Sequence, residues 1–124
     1  MGYNTEYSLD VIGSLTTTME VSGKDKDGNP AIIYQDLNLD IEDLKRGIAV
    51  LYYNNYSPFE ESTKWYNHEK NMRNFSTHYP HLVFVLKGVG EDYPDIWVKY
   101  FKNGKMQKAK AAIVYPDFDE GRLV

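Results

Sequence analysis

The chain has 124 residues, the length of one ordinary domain, and a net charge of −4, which argues against a general nucleic-acid binder. It contains no cysteine, which excludes a disulfide framework and thiolate chemistry and fits a cytoplasmic location. No apolar run approaches the roughly 18 residues of a membrane-spanning helix, so we expect no membrane partner.

The first 36 residues predict a strand followed by a hairpin. Aromatic or apolar side chains alternate with polar ones from Tyr3 to Val11, which is typical of a half-buried strand. Two segments rich in β-branched residues, 15–21 and 31–36, flank the turn-forming sequence SGKDKDGNP. We interpret residues 15–36 as a hairpin inserted into the domain.

Two helices are predicted in the middle of the chain. The first covers residues 40–53, because Asp40 is a suitable N-cap and apolar residues then recur at helical spacing. The second covers residues 68–78 and stops before a Tyr-Pro pair. Its first residue, His68, is expected to pack near Trp65.

A central strand follows the second helix. The apolar run from Leu82 to Leu86 is unbroken and is bounded by Pro80 and Gly88. Such a run is typical of a strand that is covered on both faces.

The segment from Asp95 to Tyr115 predicts a β-hairpin with a turn at Asn103-Gly104. Asn-Gly is the strongest short hairpin signal, because a type I′ turn needs positive φ at both central residues. Counting outward pairs Lys102 with Lys105, Phe101 with Met106, Tyr100 with Gln107, Lys99 with Lys108, Val98 with Ala109, Trp97 with Lys110 and Ile96 with Ala111.

Opposed residues share a face of the hairpin, so this register defines two faces. The predicted core face consists of Ile96, Val98, Tyr100, Ala109, Ala111 and Ile113. The lysine–aromatic face consists of Trp97, Lys99, Phe101, Met106, Lys108 and Lys110. We expect the lysine–aromatic face to be exposed.

Two like charges oppose each other on the lysine–aromatic face, at Lys99 and Lys108, which costs up to about 1 kcal/mol. Residues 1–63 carry 4 basic and 11 acidic residues, whereas residues 64–124 carry 10 basic and 7 acidic. Three sources of compensation are open: Glu6 and Asp10 on the first strand, an external anion, or the acidic half of a second subunit.

The sequence therefore predicts one α+β domain over residues 1–124, with an antiparallel sheet of about five strands and two helices on one face. The predicted order is β (3–11), hairpin (15–36), α (40–53), β (62–66), α (68–78), β (82–88), β (95–102) and β (105–115). Residues 116–124 are expected to form a flexible tail, and their Leu-Val ending is typical of a tag remnant.

A family resemblance covers about the last half of the chain, together with the opening strand Gly2–Val11. The matching segments are KWYNHEKNM (Lys64–Met72), Phe75-Ser76 with Tyr79-Pro80, FVLKGVGE (Phe84–Glu91) and DIWVKYFKNGKMQ (Asp95–Gln107). In order and spacing they resemble small proteins of phages and prophages of Gram-positive bacteria, most of which have no assigned activity. The resemblance implies a ferredoxin-like α+β fold and a phage accessory protein in the host-cell cytoplasm.

The sequence contains no complete catalytic or metal-binding motif. The segment HEKNM has Met72 where a zinc-protease helix needs its second histidine, and the acid pairs lie in turn-forming segments. We predict no enzymatic activity, no cofactor and no metal site. We predict a non-enzymatic protein that binds a macromolecule, for example an inhibitor of a bacterial defence system such as CRISPR.

The predicted partner-binding residues are Trp97, Lys99, Phe101, Lys108 and Lys110. A protein partner is favoured by the negative net charge, and the chain itself is expected to be a monomer or a homodimer. The alternative is a single-stranded nucleic-acid binder that stacks bases on the two aromatic rings. A third hypothesis is a small-molecule pocket walled by the tyrosine-rich loop Tyr52–Phe59.

Overall fold

A computed structural model gives the fold and describes residues 2–92, 94–112 and 114–124. The strands are β1 (Thr5–Ile12), β2 (Thr16–Lys24), β3 (Pro30–Asn38), β4 (Val83–Gly90), β5 (Ile96–Lys102) and β6 (Lys105–Lys110), the helices are α1 (Ile41–Tyr52) and α2 (His68–Ser76), and a 3-10 turn covers Glu120–Arg122. The predicted α+β class and its two helices are confirmed.

The strands form two separate sheets. One has four antiparallel strands in the order β1-β4-β5-β6, and the other consists of β2 and β3 alone. The prediction of about five strands in one sheet is wrong, because the segment 62–66 contributes only a bridge between Thr63 and Thr5. A tight backbone turn from Lys64 to Tyr66 ends this pairing. The element order also differs from the β-α-β-β-α-β order of a ferredoxin-like domain.

Both helices follow from local sequence. The side chain of Asp40 accepts a hydrogen bond from the backbone N–H of Glu42 at 2.9 Å, which confirms it as the N-cap of α1. Helix α2 ends at Ser76, two residues before the predicted end. Neither helix of the described chain is long and apolar enough to cross a membrane.

The helices pack on one side of the four-stranded sheet, which we call the helix face; the other side is the open face. The buried core between the helices and the helix face comprises Tyr7, Leu9, Leu44, Ile48, Trp65, Met72, Phe75, Leu82, Phe84, Leu86, Trp97 and Phe101. No described helix or strand packs on the open face. Within the apolar run Leu82–Leu86 the side chains on both sides of β4 have little exposure, including Val85 on the open face at 8%, whereas Val89 further along that face is 45% exposed.

The hairpin formed by β5 and β6 has the predicted register, from Lys102 opposite Lys105 to Trp97 opposite Lys110. Asn103 and Gly104 have φ values of +46° and +81°, as a type I′ turn requires. Strand β6 ends at Lys110, earlier than the predicted residue 115.

The hairpin formed by β2 and β3 stands apart from the rest of the described chain. It extends from Thr16 to Asn38, two residues beyond the predicted end, and no part of it lies next to another described helix or strand. Several of its apolar side chains are exposed, including Ile32 and Tyr34.

Candidate functional site

The lysine–aromatic face lies inside the protein, which reverses the predicted sidedness of the β5–β6 hairpin. Trp97, Lys99 and Phe101 are 7%, 4% and 0% exposed beneath α2. On the predicted core face, Ile96 is 38% exposed, and both Ala109 and Ala111 are exposed. Ile113, also assigned to that face, lies outside the described residues.

The reversal has a physical cause. Burying the rings of Trp97 and Phe101 removes more apolar surface from water than burying Ile96 and Val98 does. Lys99 lies between the two rings, and burying its ammonium group would be unfavourable if it had no partners. Helix α2 supplies those partners, so the aromatic side becomes the interior.

The ammonium group of Lys99 is surrounded by groups that stabilise its charge. Its Nζ lies 2.7 Å from Oε2 of Glu69 and 2.6 Å from Nε2 of His68, both in the first turn of α2. It also lies 4.1 Å from the ring centroid of Trp97, in a cation–π contact. The cluster of Lys99, Glu69, His68 and Trp97 thus joins α2 to β5, and we call it the Lys99 cluster.

His68 acts as a hydrogen-bond acceptor in the Lys99 cluster. Its Nδ1 lies 2.9 Å from the carbonyl oxygen of Trp65, which can only accept, so Nδ1 carries the proton and Nε2 offers a lone pair to Lys99. Burial lowers the pKa of His68, and the neighbouring ammonium of Lys99 lowers it further. The neutral ring is therefore favoured, and the predicted packing of His68 near Trp65 is confirmed.

The Lys99 cluster holds titratable groups whose pKa values are shifted, and its lysine is covered. Burial lowers the pKa of Lys99, and the hydrogen bond from Lys99 lowers the pKa of Glu69. An amine with a lowered pKa is the kind used in nucleophilic catalysis. The side chain of Lys99 is only 5% exposed, however, so a substrate would first have to displace its partners. The geometry suits a structural role.

The acid that compensates Lys99 and Lys108 is not the one expected from the sequence. Glu6 and Asp10 lie on β1, at the opposite edge of the sheet from β6. Glu69 takes the role instead. It is the only acidic residue of α2, and this is the signal by which the sequence could have identified it.

An open groove runs along the outer side of α2, next to the β5–β6 turn. Its volume is about 640 Å³, and its lining residues are Tyr66, Asn67, Glu69, Lys70, Arg73, Asn74, Thr77 and Gly104. Arg73 donates a long hydrogen bond of 3.5 Å from Nη1 to the carbonyl oxygen of Gly104. Most of these residues carry hydrogen-bond donors, so the groove suits an anionic group better than a cation.

Lys70 and Arg73 line this groove, Lys108 lies next to α2 on β6, and Lys110 follows at the end of β6, beside a second pocket that Asp92 and Asp95 also line. We call these four cations the basic edge. Strand β6 packs against α2, and Lys108 is close enough to lower the pKa values of both His68 and Glu69. None of the four forms an ion pair with another described residue. Lys108 and Lys110 are exposed, as predicted.

We found no match to this chain among protein-family models, curated proteins or solved structures. The resemblance to phage proteins therefore stays a prediction.

The predicted partner-binding residues divide into two groups. The structure keeps Lys108 and Lys110 at the surface, whereas Trp97, Lys99 and Phe101 lack the exposure that such a role needs. Within the described residues, no group of three or more His, Asp or Glu side chains is placed to hold a metal ion.

Proposed function

We propose that the chain is a non-enzymatic binding protein that holds an acidic segment of a partner protein along its basic edge. The observation that carries this proposal is an open groove lined by Lys70 and Arg73, with Lys108 close by on β6, in which none of these three cations forms an ion pair with a described residue. Among the residues that line this groove, only Glu69 carries a carboxylate, and it is already paired with Lys99, so a carboxylate-bearing segment would supply the further negative charge. Arg73 can bind a carboxylate with two parallel hydrogen bonds, and the lysines add point charges.

A protein partner is favoured over a nucleic acid for two reasons. The net charge of −4 opposes a long polyanion, since the acidic β1 edge would repel it. The rings of Trp97 and Phe101, on which bases were expected to stack, are buried. The nucleic-acid alternative therefore loses the feature that suggested it and keeps only its phosphate-binding lysines.

The resemblance of Trp65–Gln107 to phage proteins suggests a biological setting for this binding. A phage accessory protein would act in the cytoplasm of its host and would block a partner by occupying a surface. An effector of a bacterial defence system, such as a CRISPR nuclease, is the most concrete partner under this proposal.

Fluorescence anisotropy with two labelled probes tests the proposal. The probes are a poly-glutamate peptide and a single-stranded DNA oligonucleotide. The variants are Lys70→Glu/Arg73→Glu and Lys108→Glu/Lys110→Glu. The matched control is Lys24→Glu/Lys26→Glu, which makes the same charge change at the end of the β2–β3 hairpin.

We expect the peptide to bind, to be released by salt, and to bind each basic-edge variant at least tenfold more weakly than the control. Equal weakening in the control would show a general charge effect and would contradict a site at the basic edge. Tighter binding of the DNA probe through the same residues would favour the nucleic-acid alternative. Absence of binding by either probe would leave the basic edge without the proposed function.

A further inference from the structure

The open face of the four-stranded sheet has an ordered chemical pattern. The strand registers place its side chains in four rows across the sheet: Glu6, Val89, Ile96 and Ala111; Ser8, Lys87, Val98 and Ala109; Asp10, Val85, Tyr100 and Gln107; Ile12, Val83, Lys102 and Lys105. The middle of the face is mainly apolar. Its two acids lie at the β1 edge, and two of its three lysines lie at the β5–β6 end.

A second pair of like charges lies on this face. Lys102 opposes Lys105 across the two strands, just as Lys99 opposes Lys108 on the helix face. Such a pair costs up to about 1 kcal/mol. Glu69 relieves the pair on the helix face, but no described acid lies within ion-pair distance of Lys102 or Lys105.

We propose that the open face is the interface of a homodimer in which two copies stack sheet on sheet. A second copy is the occupant that fits, because its Asp10 brings a carboxylate to the basic end of this face, where no described acid forms an ion pair with Lys102 or Lys105. The interior of such a stack, about 10 Å thick, would bury the apolar middle of both faces.

The charge pattern also selects the symmetry of the dimer. A two-fold axis parallel to the strands places β1 of each copy over β6 of the other, so that Asp10 comes near the lysines at the β5–β6 end while Glu6 faces Ala111. An axis across the strands would place β1 over β1, with acid facing acid. In the favoured arrangement Asp10 of one copy lies over Gln107 of the other, one row from Lys105, which is within reach of a lysine side chain.

The size of the face sets the expected affinity. Four strands about 4.8 Å apart and six to eight residues long, at about 3.3 Å per residue, span an area in the range of weak, reversible interfaces. We therefore expect dissociation in the micromolar range. The basic edge lies on the helix side of β6, so dimerisation leaves the proposed partner site open.

Analytical ultracentrifugation across the micromolar range tests this inference. One variant carries Glu6→Lys/Asp10→Lys and the other carries Lys102→Glu/Lys105→Glu. Each should be monomeric alone, because like charges then meet across the interface. The two variants mixed should form a heterodimer, and all four changes in one chain should restore the homodimer.

Thermal unfolding identifies any variant that fails to fold, and salt titration of the unmodified chain provides a measurement free of substitutions. We expect added salt to weaken the dimer, while Lys24→Glu/Lys26→Glu leaves it unchanged. A chain that stays monomeric throughout the concentration range would overturn the proposal. A dimer whose dissociation constant changed neither with the charge swaps nor with salt would also overturn the proposal.

Discussion

The two faces of the β5–β6 hairpin meet the same electrostatic problem in different ways. On the helix face Lys99 opposes Lys108, and α2 brings Glu69 to within 2.7 Å of the buried ammonium. On the open face Lys102 opposes Lys105, and both side chains remain in water. The comparison shows that a lysine in an alternating strand does not mark the solvent side. The face with the larger rings is the buried one, because α2 supplies partners for Lys99.

The largest effect that separates the two faces should come from ring deletion. Phe101→Ala removes a side chain that is fully buried, so we expect a loss of about 3–5 kcal/mol in the free energy of unfolding. Tyr100→Ala, at the neighbouring position on the open face, should cost less than half as much. Urea unfolding at low protein concentration measures both. Equal losses would contradict the assignment of the interior.

A second comparison removes first the acid and then the lysine of the Lys99 cluster. Glu69→Ala leaves a buried ammonium without its carboxylate, and we expect a cost of about 3 kcal/mol, at the low end for a broken buried pair. Lys99→Met should cost about 1 kcal/mol or less, because it fills the same space and the partly exposed Glu69 returns to water. Urea unfolding of the two variants decides the order. A larger loss for Lys99→Met would show that the cluster is not organised around the lysine.

A third prediction concerns close packing on the helix face. A methyl group at Gly88 would overlap the ring of Trp97, so Gly88→Ala must displace that ring and should cost about 1–3 kcal/mol. The matched control is Gly23→Ala in the free hairpin, where only the end of the exposed Ile33 side chain has to move. Thermal unfolding should separate the two variants clearly. Similar melting temperatures would mean that Trp97 does not lie over Gly88.

These comparisons also show how far the sequence could predict the fold. The turn at Asn103-Gly104 determines the hairpin register because two positive φ values admit few other connections, and that register is confirmed. The choice of face depends on α2, which is distant in sequence and contributes Glu69 and His68 to one side only. Local alternation holds no information about such a partner. Two of the four residues of the basic edge, Lys108 and Lys110, could be predicted from the sequence. The other two lie on α2 and come close to β6 only in the folded chain.

The smallest predicted effect is the pH dependence that the Lys99 cluster confers. The pKa values of His68 and Glu69 are both lowered in the folded protein, so both groups stabilise it most above their ordinary pKa values. That stability falls as the pH drops below 6.5, the ordinary pKa of histidine, first through His68 and then, below 4.5, through Glu69.

His68→Gln isolates the first step of this pH dependence. Glutamine keeps an acceptor for Lys99 but cannot take up a proton, so stability should change less between pH 7 and pH 5 than in the unmodified chain. Urea midpoints at the two pH values give the difference. His78→Gln, at an exposed position just after α2, is the matched control for a histidine-to-glutamine change. A steeper loss of stability in His68→Gln would reverse the assigned sign.

Acrylamide quenching of tryptophan fluorescence tests the sidedness of the sheet most directly, and it needs no substitution. The chain has two tryptophans, Trp65 and Trp97, which are 2% and 7% exposed. We expect the folded protein to show one uniformly protected population, quenched several-fold less than the urea-unfolded chain. If about half of the folded emission were quenched as readily as in the unfolded chain, Trp97 would lie at the surface, and the assignment of the helix face as the interior would be wrong.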